Sequence, residues 1–442
     1  MQFFSYSISC SAVLLALGLS GAAFAQPAAT PAPASAGVSF ANYLDAVEQH
    51  SLELKSELQN VESAKAEIGM AGIRPDPELS YEVARERVKT GLPRPRERKL
   101  ELSMEVETGG KRAARIKAAR SALKLTEVGV EAFRHQLFSD AAENFTQACM
   151  EHQALQRKQQ TLKALSDVVS ANDVRRKAGD IGAIEWRQSR VERDQFQAEV
   201  TEARAQVQTS RLALAIPLGR SLNQVFSSQE LDCAFQPFSQ SQDIEALVDQ
   251  ALQARSDVRE AHAALDHARD NAGLAQANRW INPTVAVGMT TRPGTTAGVD
   301  HGGDAFDAEG RSRVLNMSVS VPLPFSRLNR GEILQAEAAV TQAMLGLQQA
   351  QNKAEAEVRS AHFRFLAAKE NVERYRDGVL ADAQRVLEGM RLSYRHGEAS
   401  LLELLAAQSS ADEAYLGYLQ AEADLATATV ELQLGIGQRP AL

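Results

Sequence analysis

Two long segments without proline, Lys111–Asp180 and Arg327–His396, restrict what this chain can fold into. In each segment apolar residues recur at every seventh position, and the register advances once by four residues. Such a repeat predicts a helix packed along a narrow seam against neighbouring helices, and the four-residue step locally unwinds the supercoil. At 1.5 Å of rise per residue, each helix would be about 100 Å long. The seam positions are Ile116, Leu123, Val130, Leu137, Ala141, Ala148, Leu155, Leu162 and Val169 in the first segment, and Ile333, Val340, Leu347, Ala354, Val358, Phe365, Val372, Val379 and Val386 in the second.

The two seams are copies of each other. Every position of the second seam lies 217 residues after its counterpart, as Val386 does after Val169, so the chain contains an internal repeat. Each repeat begins with a shorter predicted helix, Ser39–Gly72 in the first and Asp243–Trp280 in the second. The predicted segments are a first repeat over residues 39–220, a connector over residues 221–242 and a second repeat over residues 243–438.

The composition agrees with a chain made of long helices. Apolar residues make up 44% of the 442 residues but aromatic residues only 5%, which is unlike a thick aromatic core. The net charge of −8, from 56 acidic and 48 basic residues, argues against nucleic acid as a partner. Cys149 falls in mid-helix and Cys233 in the connector, so the sequence does not place them together and leaves open whether they are bonded.

The N-terminus carries an apolar stretch, Ala12–Leu19, that ends in Ala23-Phe24-Ala25. This pattern predicts a secretory signal peptide over residues 1–25, followed by an Ala/Pro-rich flexible leader over residues 26–38. Cys10 lies inside the signal, so no cysteine is placed for lipid attachment. No later stretch reaches 18 uninterrupted apolar residues.

Four short segments alternate between larger apolar residues and polar or small residues. Leu100, Leu102 and Met104, for example, alternate with acidic and hydroxyl side chains. A period of two with opposite chemistry on the two faces predicts a strand between two different media. The predicted strands cover about residues 78–88, 99–107, 284–291 and 313–323.

Each repeat therefore reads helix, strand, strand, long helix, tight turn, helix. Four strands are too few to close a barrel, which needs about eight, so several copies must contribute strands to one barrel. Strands of this length suit an outer-membrane barrel, and the attached helices would extend about 100 Å from it. The predicted fold class is mainly α with a small β part, and the assembly is a tube.

The chain resembles the TolC-like outer-membrane efflux proteins over nearly the whole mature sequence. Glu107-Thr108-Gly109-Gly110-Lys111-Arg112 is similar to the stretch that opens the long helix in the CzcC-type heavy-metal efflux branch. Gly179-Asp180-Ile181, Pro322-Leu323-Pro324-Phe325 and Asn329-Arg330-Gly331-Glu332 also resemble that branch. The resemblance implies a homotrimer with a 12-stranded outer-membrane β-barrel and a 12-helix periplasmic α-barrel. It further implies a periplasmic adaptor protein and an inner-membrane RND pump as partners, and a passive duct for heavy-metal cations.

The resemblance also implies where the functional residues lie. The two tight turns would be the periplasmic tips that meet the adaptor, and acidic residues just after them would narrow the entrance. A second acidic position of the family is Ala406 here, with Gln188 as its first-half match. A helix dipole alone would favour carboxylates at these helix starts, and Gly and Asp are ordinary turn residues. The candidate turn residues are Gly179, Asp180, Gly397 and Glu398, and the candidate entrance residues are Glu185 and Glu403.

Acidic residues on the polar side of the strands are expected to face the barrel lumen, because a charge facing lipid costs a few kcal/mol. These candidates are Glu82, Glu101 and Glu105. A basic loop with Arg85, Arg87, Lys89, Arg94, Arg96, Arg98 and Lys99 either contacts lipopolysaccharide phosphates or is simply solvated. An acidic loop with Asp300, His301, Asp304 and Asp307 offers at most a weak divalent site.

No enzyme motif is present in the sequence: no Gly-rich phosphate loop, no His-Glu-x-x-His and no Gly-x-Ser-x-Gly. We therefore expect no catalytic residues, no cofactor and no bound metal. Two alternatives to metal efflux remain open at this stage. One is a channel for drugs or for type I secretion. The other is a periplasmic coiled-coil adaptor or scaffold without a membrane span.

Overall fold

The structure is a computed structural model, and it describes residues 37–84, 96–228, 230–235, 238, 243–299, 302–303, 305–323 and 329–442. Several sequence predictions lie outside these residues, namely the signal peptide, nearly all of the leader, and parts of the basic and acidic loops. The named residues outside them are Arg85, Arg87, Lys89, Arg94, Asp300, His301, Asp304, Pro324 and Phe325.

Helices form most of the described chain. The two long predicted helices are present, and the first is continuous over 68 residues. The helices are α1 (Phe40–His50), α2 (Leu52–Ala71), α3 (Lys111–Ala178), α4 (Ala183–Ala213), α5 (Ala215–Leu218), α6 (Leu222–Val225), α7 (Ile244–Ala254), α8 (Ser256–Ala277), α9 (Arg330–Arg374), α10 (Leu380–His396) and α11 (Leu401–Gly435).

The shorter helix at the start of each repeat is broken, where the sequence predicted one continuous helix. Ser51 separates α1 from α2, and its hydroxyl accepts a hydrogen bond from the Leu54 N–H. Arg255 separates α7 from α8 with an extended ψ of 135°. A serine that caps a helix needs non-helical backbone angles at its own position. The helix is therefore interrupted at Ser51, although the apolar periodicity continues across it.

A π-helical turn over Tyr375–Val379 joins α9 to α10. One extra residue in this turn shifts the buried seam, because a π-turn is wider than an α-turn. Val379 and Val386, predicted as seam positions, are 40% and 57% exposed, whereas Leu387 is 1% exposed. The prediction was wrong for these two valines. Beyond the π-turn, equivalent positions of the two repeats lie 218 residues apart: Gly397 ends α10 as Gly179 ends α3.

The helices lie side by side in one row. Nearest the sheet, α3 contacts α2 and α8, and α8 contacts α9. Towards the tight turns, α3 contacts α4 and α11, and α11 contacts α10. The outer members of this row are therefore α2 and α4 on one side, and α9 and α10 on the other.

The largest buried cluster lies midway along α3. Tyr43 and Phe145 are fully buried there with rings 5.5 Å apart, and the Tyr43 hydroxyl donates to the Leu214 carbonyl over 2.9 Å. Cys149 and Cys233 form a disulfide that fastens the connector to α3. The sequence did not predict this bond, because helical periodicity does not say which turn of α3 the connector crosses.

The strands are β1 (Glu78–Ala84), β2 (Glu97–Glu105), β3 (Thr284–Arg292), β4 (Gly298–Val299), β5 (Ala305–Phe306) and β6 (Ser312–Ser320). Four of them form one antiparallel sheet in the order β1-β2-β3-β6. β4 and β5 form a separate two-stranded hairpin between β3 and β6. In the large sheet β2 pairs with β3, so the two repeats meet in the middle, and β1 and β6 are the edge strands.

Candidate functional site

One face of the large sheet is apolar across all four strands. The register aligns side chains from both repeats in rows, and successive residues of a strand point to opposite faces. Leu315 and Met317 on this face are 77% and 74% exposed. A contiguous exposed apolar surface of this kind indicates contact with a membrane or another protein. The rows are Leu79, Leu102, Val287 and Met317; then Tyr81, Leu100, Met289 and Leu315; and Met104, Val285 and Val319.

The three acidic candidates for the lumen share the opposite face of the sheet. Glu82 lies across from Lys99, and Glu101 lies across from Ser80. Glu105 lies across from Thr284 on β3. The Lys99 ammonium is 2.9 Å from the Glu101 carboxylate, so a base on this face pairs with one of the three candidates. The sheet thus has one charged and one apolar face, and the lumen role of the three glutamates stays a prediction.

The segment Glu107–Arg112 forms the junction between the sheet and the helices. The Arg115 guanidinium forms an ion pair with Glu107 and donates to the Ile73 carbonyl over 3.0 Å at the end of α2. Lys111 Nζ donates to Asn282 Oδ1 over 2.8 Å. Gly109 has φ +67°, and a Cβ there would stand 2.3 Å from the Trp280 ring. The motif therefore has a structural role, because it joins the start of α3 to both halves of the chain.

The tight turns at the far end of the helices have the same backbone geometry. Gly179 and Gly397 have φ of +88° and +78°, which favours glycine. The Asp180 N–H bonds the carbonyl of Arg175, and the Glu398 N–H bonds that of Ser393, each over 2.9 Å. A Cβ added at either glycine would meet no atom within 4 Å. All four turn candidates therefore lie at open tips, and their docking role stays a prediction.

Glu403 is exposed and belongs to the cap of its own helix. Its carboxylate accepts from the Ser400 N–H over 2.7 Å and from the Ser400 hydroxyl over 2.9 Å. The Ser400 hydroxyl in turn accepts from the Glu403 N–H, which completes a capping box. The Ser400 backbone N–H, followed by its hydroxyl, lowers the pKa of Glu403 below its ordinary value.

Glu185 is half-buried and contacts a different helix. The Tyr394 hydroxyl on α10 lies 3.2 Å from the Glu185 carboxylate and 2.8 Å from Asn172 Oδ1 on α3. Burial raises the pKa of the Tyr394 phenol, so its one proton is retained and shared between the two acceptors. The Arg175 guanidinium stacks 5.3 Å from the Tyr394 ring. This contact joins the first turn to the second.

A second buried polar contact joins α3 to α11 and α11 to α10, further from the tips. Asp412 on α11 accepts from Arg157 over 2.7 Å and from Thr161 over 2.9 Å, both on α3. Gln408 donates to Asp412 over 3.1 Å and accepts from Arg391 on α10 over 2.7 Å. Removing one partner of a buried ion pair typically costs about 3–5 kcal/mol, so this cluster helps to fix α3 against α11.

Tyr394, Asn172, Gln408 and Asp412 were not predicted from the sequence. A signal for two of them was present: Asn172 follows Leu165 by seven residues, and Gln408 follows Leu401 by seven. A polar residue at a seam position often specifies which helices pair. Asn172 accepts from Tyr394, 222 residues away, and Gln408 donates to Thr161, 247 residues away. No local pattern reveals partners at such distances.

Within the described ranges, no group of three or more His, Cys, Asp or Glu side chains is arranged to hold a metal ion. None of the helices in the described part of the chain has the length and apolar character needed to cross a membrane.

Comparison with known proteins adds independent findings. Residues 43–220 and 247–438 match the outer membrane efflux protein family. The cobalt-zinc-cadmium resistance protein CzcC of Cupriavidus metallidurans is 23% identical over 370 residues, which cover 84% of this chain and 82% of CzcC. The outer membrane channel CmeC of Campylobacter jejuni superimposes with a TM-score of 0.71 at 17% identity, covering 91% and 86% of the two chains. CusC gives a TM-score of 0.70 at 20% identity, covering 93% and 98%.

Proposed function

The chain belongs to the outer membrane efflux protein family, and from this membership we propose that it forms the exit duct of a tripartite efflux system. It resides in the outer membrane and extends into the periplasm. A sheet with one exposed apolar face, fixed to the end of a helix of 68 residues, is the observation that carries this proposal. The proposed duct conducts substrate passively and performs no chemistry.

Assembly as a homotrimer is supported by what one copy leaves open. β1 and β6 are edge strands with unpaired backbone groups, which pair readily with another chain. Three copies would contribute twelve strands, enough to close a barrel. The outer helices of the row also expose large apolar side chains on both sides. These are Met70, Ile184, Val191 and Leu212 on α2 and α4, and Leu334, Leu345, Phe363 and Leu392 on α9 and α10.

The tight turns are the proposed periplasmic entrance and the contact for an adaptor protein and its inner-membrane RND pump. Gly179, Asp180, Gly397 and Glu398 lie at open tips, where a partner would contact the backbone. Glu185 and Glu403 stand directly behind the turns, and threefold repetition would gather six carboxylates there. Clustered like charges raise the local concentration of cations. The Glu403 side chain is exposed, whereas the Glu185 carboxylate accepts a hydrogen bond from the Tyr394 hydroxyl.

Heavy-metal cations are the proposed substrate. Support comes from the cobalt-zinc-cadmium resistance relative. The Gly109-Gly110-Lys111-Arg112 segment adds support because it resembles the heavy-metal efflux branch. Deleting the chain from its host should lower the tolerated concentration of Co²⁺, Zn²⁺ or Cd²⁺ and leave tolerance to organic toxicants unchanged. Restoring the full chain should restore metal tolerance.

The opposite pattern, with sensitivity to organic toxicants only, would replace metal cations with drugs as the substrate and leave the duct proposal standing. Normal tolerance to both, with the protein recovered in the soluble periplasmic fraction, would contradict the duct itself.

A further inference from the structure

Two arginines lie on the apolar face of the sheet, beyond its last apolar row. Arg98 is two residues from Leu100 on β2, and Arg313 is two residues from Leu315 on β6. Both lie at the ends of their strands that are remote from the helices. The register puts both in one row, because Arg98 and Arg313 each pair with Thr291. Residues two strands apart are separated by about 10 Å. Arg98 was predicted to lie in the basic loop, but it belongs to β2.

Basic residues at the same height on the opposite face have acidic partners. Arg292 lies 3.2 Å from the Glu97 carboxylate, and Lys99 lies 2.9 Å from Glu101. Among the described residues, neither Arg98 nor Arg313 forms an ion pair or a hydrogen bond through its side chain, and both side chains are exposed. Both bases on the charged face are thus paired with carboxylates, whereas the apolar face ends in two arginines that have no partner among the described residues.

An arginine at the edge of a membrane-facing surface keeps its aliphatic stem on the apolar surface and extends its guanidinium to the headgroup region. Guanidinium groups pair with phosphate through two parallel hydrogen bonds. From this charge pattern we infer that Arg98 and Arg313 bind the phosphate groups of lipopolysaccharide in the outer leaflet. This inference rests on the proposed function, since that function puts the end of the sheet remote from the helices at the cell exterior.

The test uses the full mature chain, reconstituted into phosphatidylcholine vesicles with and without lipopolysaccharide. The variant carries Arg98→Gln and Arg313→Gln together. The matched control carries Lys99→Gln and Arg292→Gln, which remove the same charge at the same height from the opposite face. Lipopolysaccharide retained after detergent extraction is quantified per protein chain, and its affinity is measured by titration.

We expect the wild type and the control to retain lipopolysaccharide equally. The Arg98/Arg313 variant should bind it about thirty-fold more weakly, because each base at an anionic membrane surface contributes roughly a factor of five. Insertion into phosphatidylcholine vesicles without lipopolysaccharide should be the same for all three proteins, which shows that the variant folds.

Equal lipopolysaccharide affinity in the variant and the wild type would overturn the inference. Two further arms separate the sources of phosphate. If inorganic phosphate competes at a concentration matching that of lipid phosphate, or if phosphatidylglycerol replaces lipopolysaccharide without loss of affinity, the assignment to lipopolysaccharide is wrong. Failure of the wild type to insert into any vesicle would instead contradict the proposed function, and the lipid site would fall with it.

Discussion

The two tight turns have the same backbone but different side-chain contacts. Both end a helix at a glycine with positive φ, and both are followed by a glutamate in the first turn of the next helix. Glu403 closes a capping box within its own helix, whereas Glu185 contacts Tyr394 on another helix. The internal repeat therefore preserves the backbone conformation of the turns more strictly than the contacts of equivalent side chains. Only the first turn is tied to its neighbour through its acidic residue.

The largest expected effects test what the two turns share. Gly179→Val and Gly397→Val should each lower the free energy of unfolding by about 2 kcal/mol, because a β-branched residue is strained at positive φ. Gly310→Val is the control, since Gly310 lies outside the left-handed region and a Cβ there would meet no atom within 4 Å. Chemical denaturation in detergent measures the three changes. Clearly unequal losses at Gly179 and Gly397 would show that the turns are not equivalent even in backbone.

The next effect tests what only the first turn has. Tyr394→Phe should cost about 1–2 kcal/mol, because it leaves the buried Asn172 amide without its phenol partner. A double-mutant cycle with Glu185→Gln should give a coupling energy of at least about 0.5 kcal/mol, and a cycle with Glu403→Gln should give none. Equal coupling to both glutamates would remove the distinction between the turns.

A smaller effect tests the helix caps. Ser400→Ala should cost about 1 kcal/mol, because the first backbone N–H groups of α11 lose an acceptor. The equivalent N-cap of α4 is Gly182, which offers no side chain. Gly182→Ser should therefore stabilise α4 by a few tenths of a kcal/mol. Hydrogen exchange at the first turn of each helix measures both, and protection should change in opposite directions.

The smallest effect is the pH dependence of the second turn. The pKa of Glu403 is lowered by hydrogen bonds that exist only in the folded chain, so its contribution to stability is present above the unfolded pKa of about 4.3. That contribution is lost as the pH falls through the lower pKa of the folded state. The protection of amides near Ser400, measured relative to the intrinsic exchange rate at each pH, should decrease below about pH 4 in the wild type. In Glu403→Gln the exchange profile should show no such step, and a step that persists there would assign it to another group.

The parts of the fold that follow local periodicity were predictable from the sequence. The seven-residue seam gave the long helices, and strict alternation gave the strands at β2 and β6 with their apolar face. The fold class and the outer membrane efflux family are confirmed by the comparisons. Each of these rests on a pattern repeated over many residues, which one irregular position does not erase.

The parts that depend on a single residue or on distant partners were not predictable. The π-turn at Tyr375–Val379 moved the seam by one residue, which no heptad pattern marks. The disulfide and the contact of Tyr394 with Asn172 join residues 84 and 222 positions apart. Helical spacing says which face of a helix is buried, but it does not say which turn of a neighbour lies opposite.

The account depends most directly on three copies sharing one sheet through the open edges β1 and β6. Native mass measurement of the mature chain, extracted from outer membranes in mild detergent, tests this claim. We expect a particle containing three chains. On denaturation, its dissociation into single chains and the loss of its β-sheet circular dichroism signal should occur together. A single chain that stays dispersed in detergent-free buffer with its sheet intact would contradict the account.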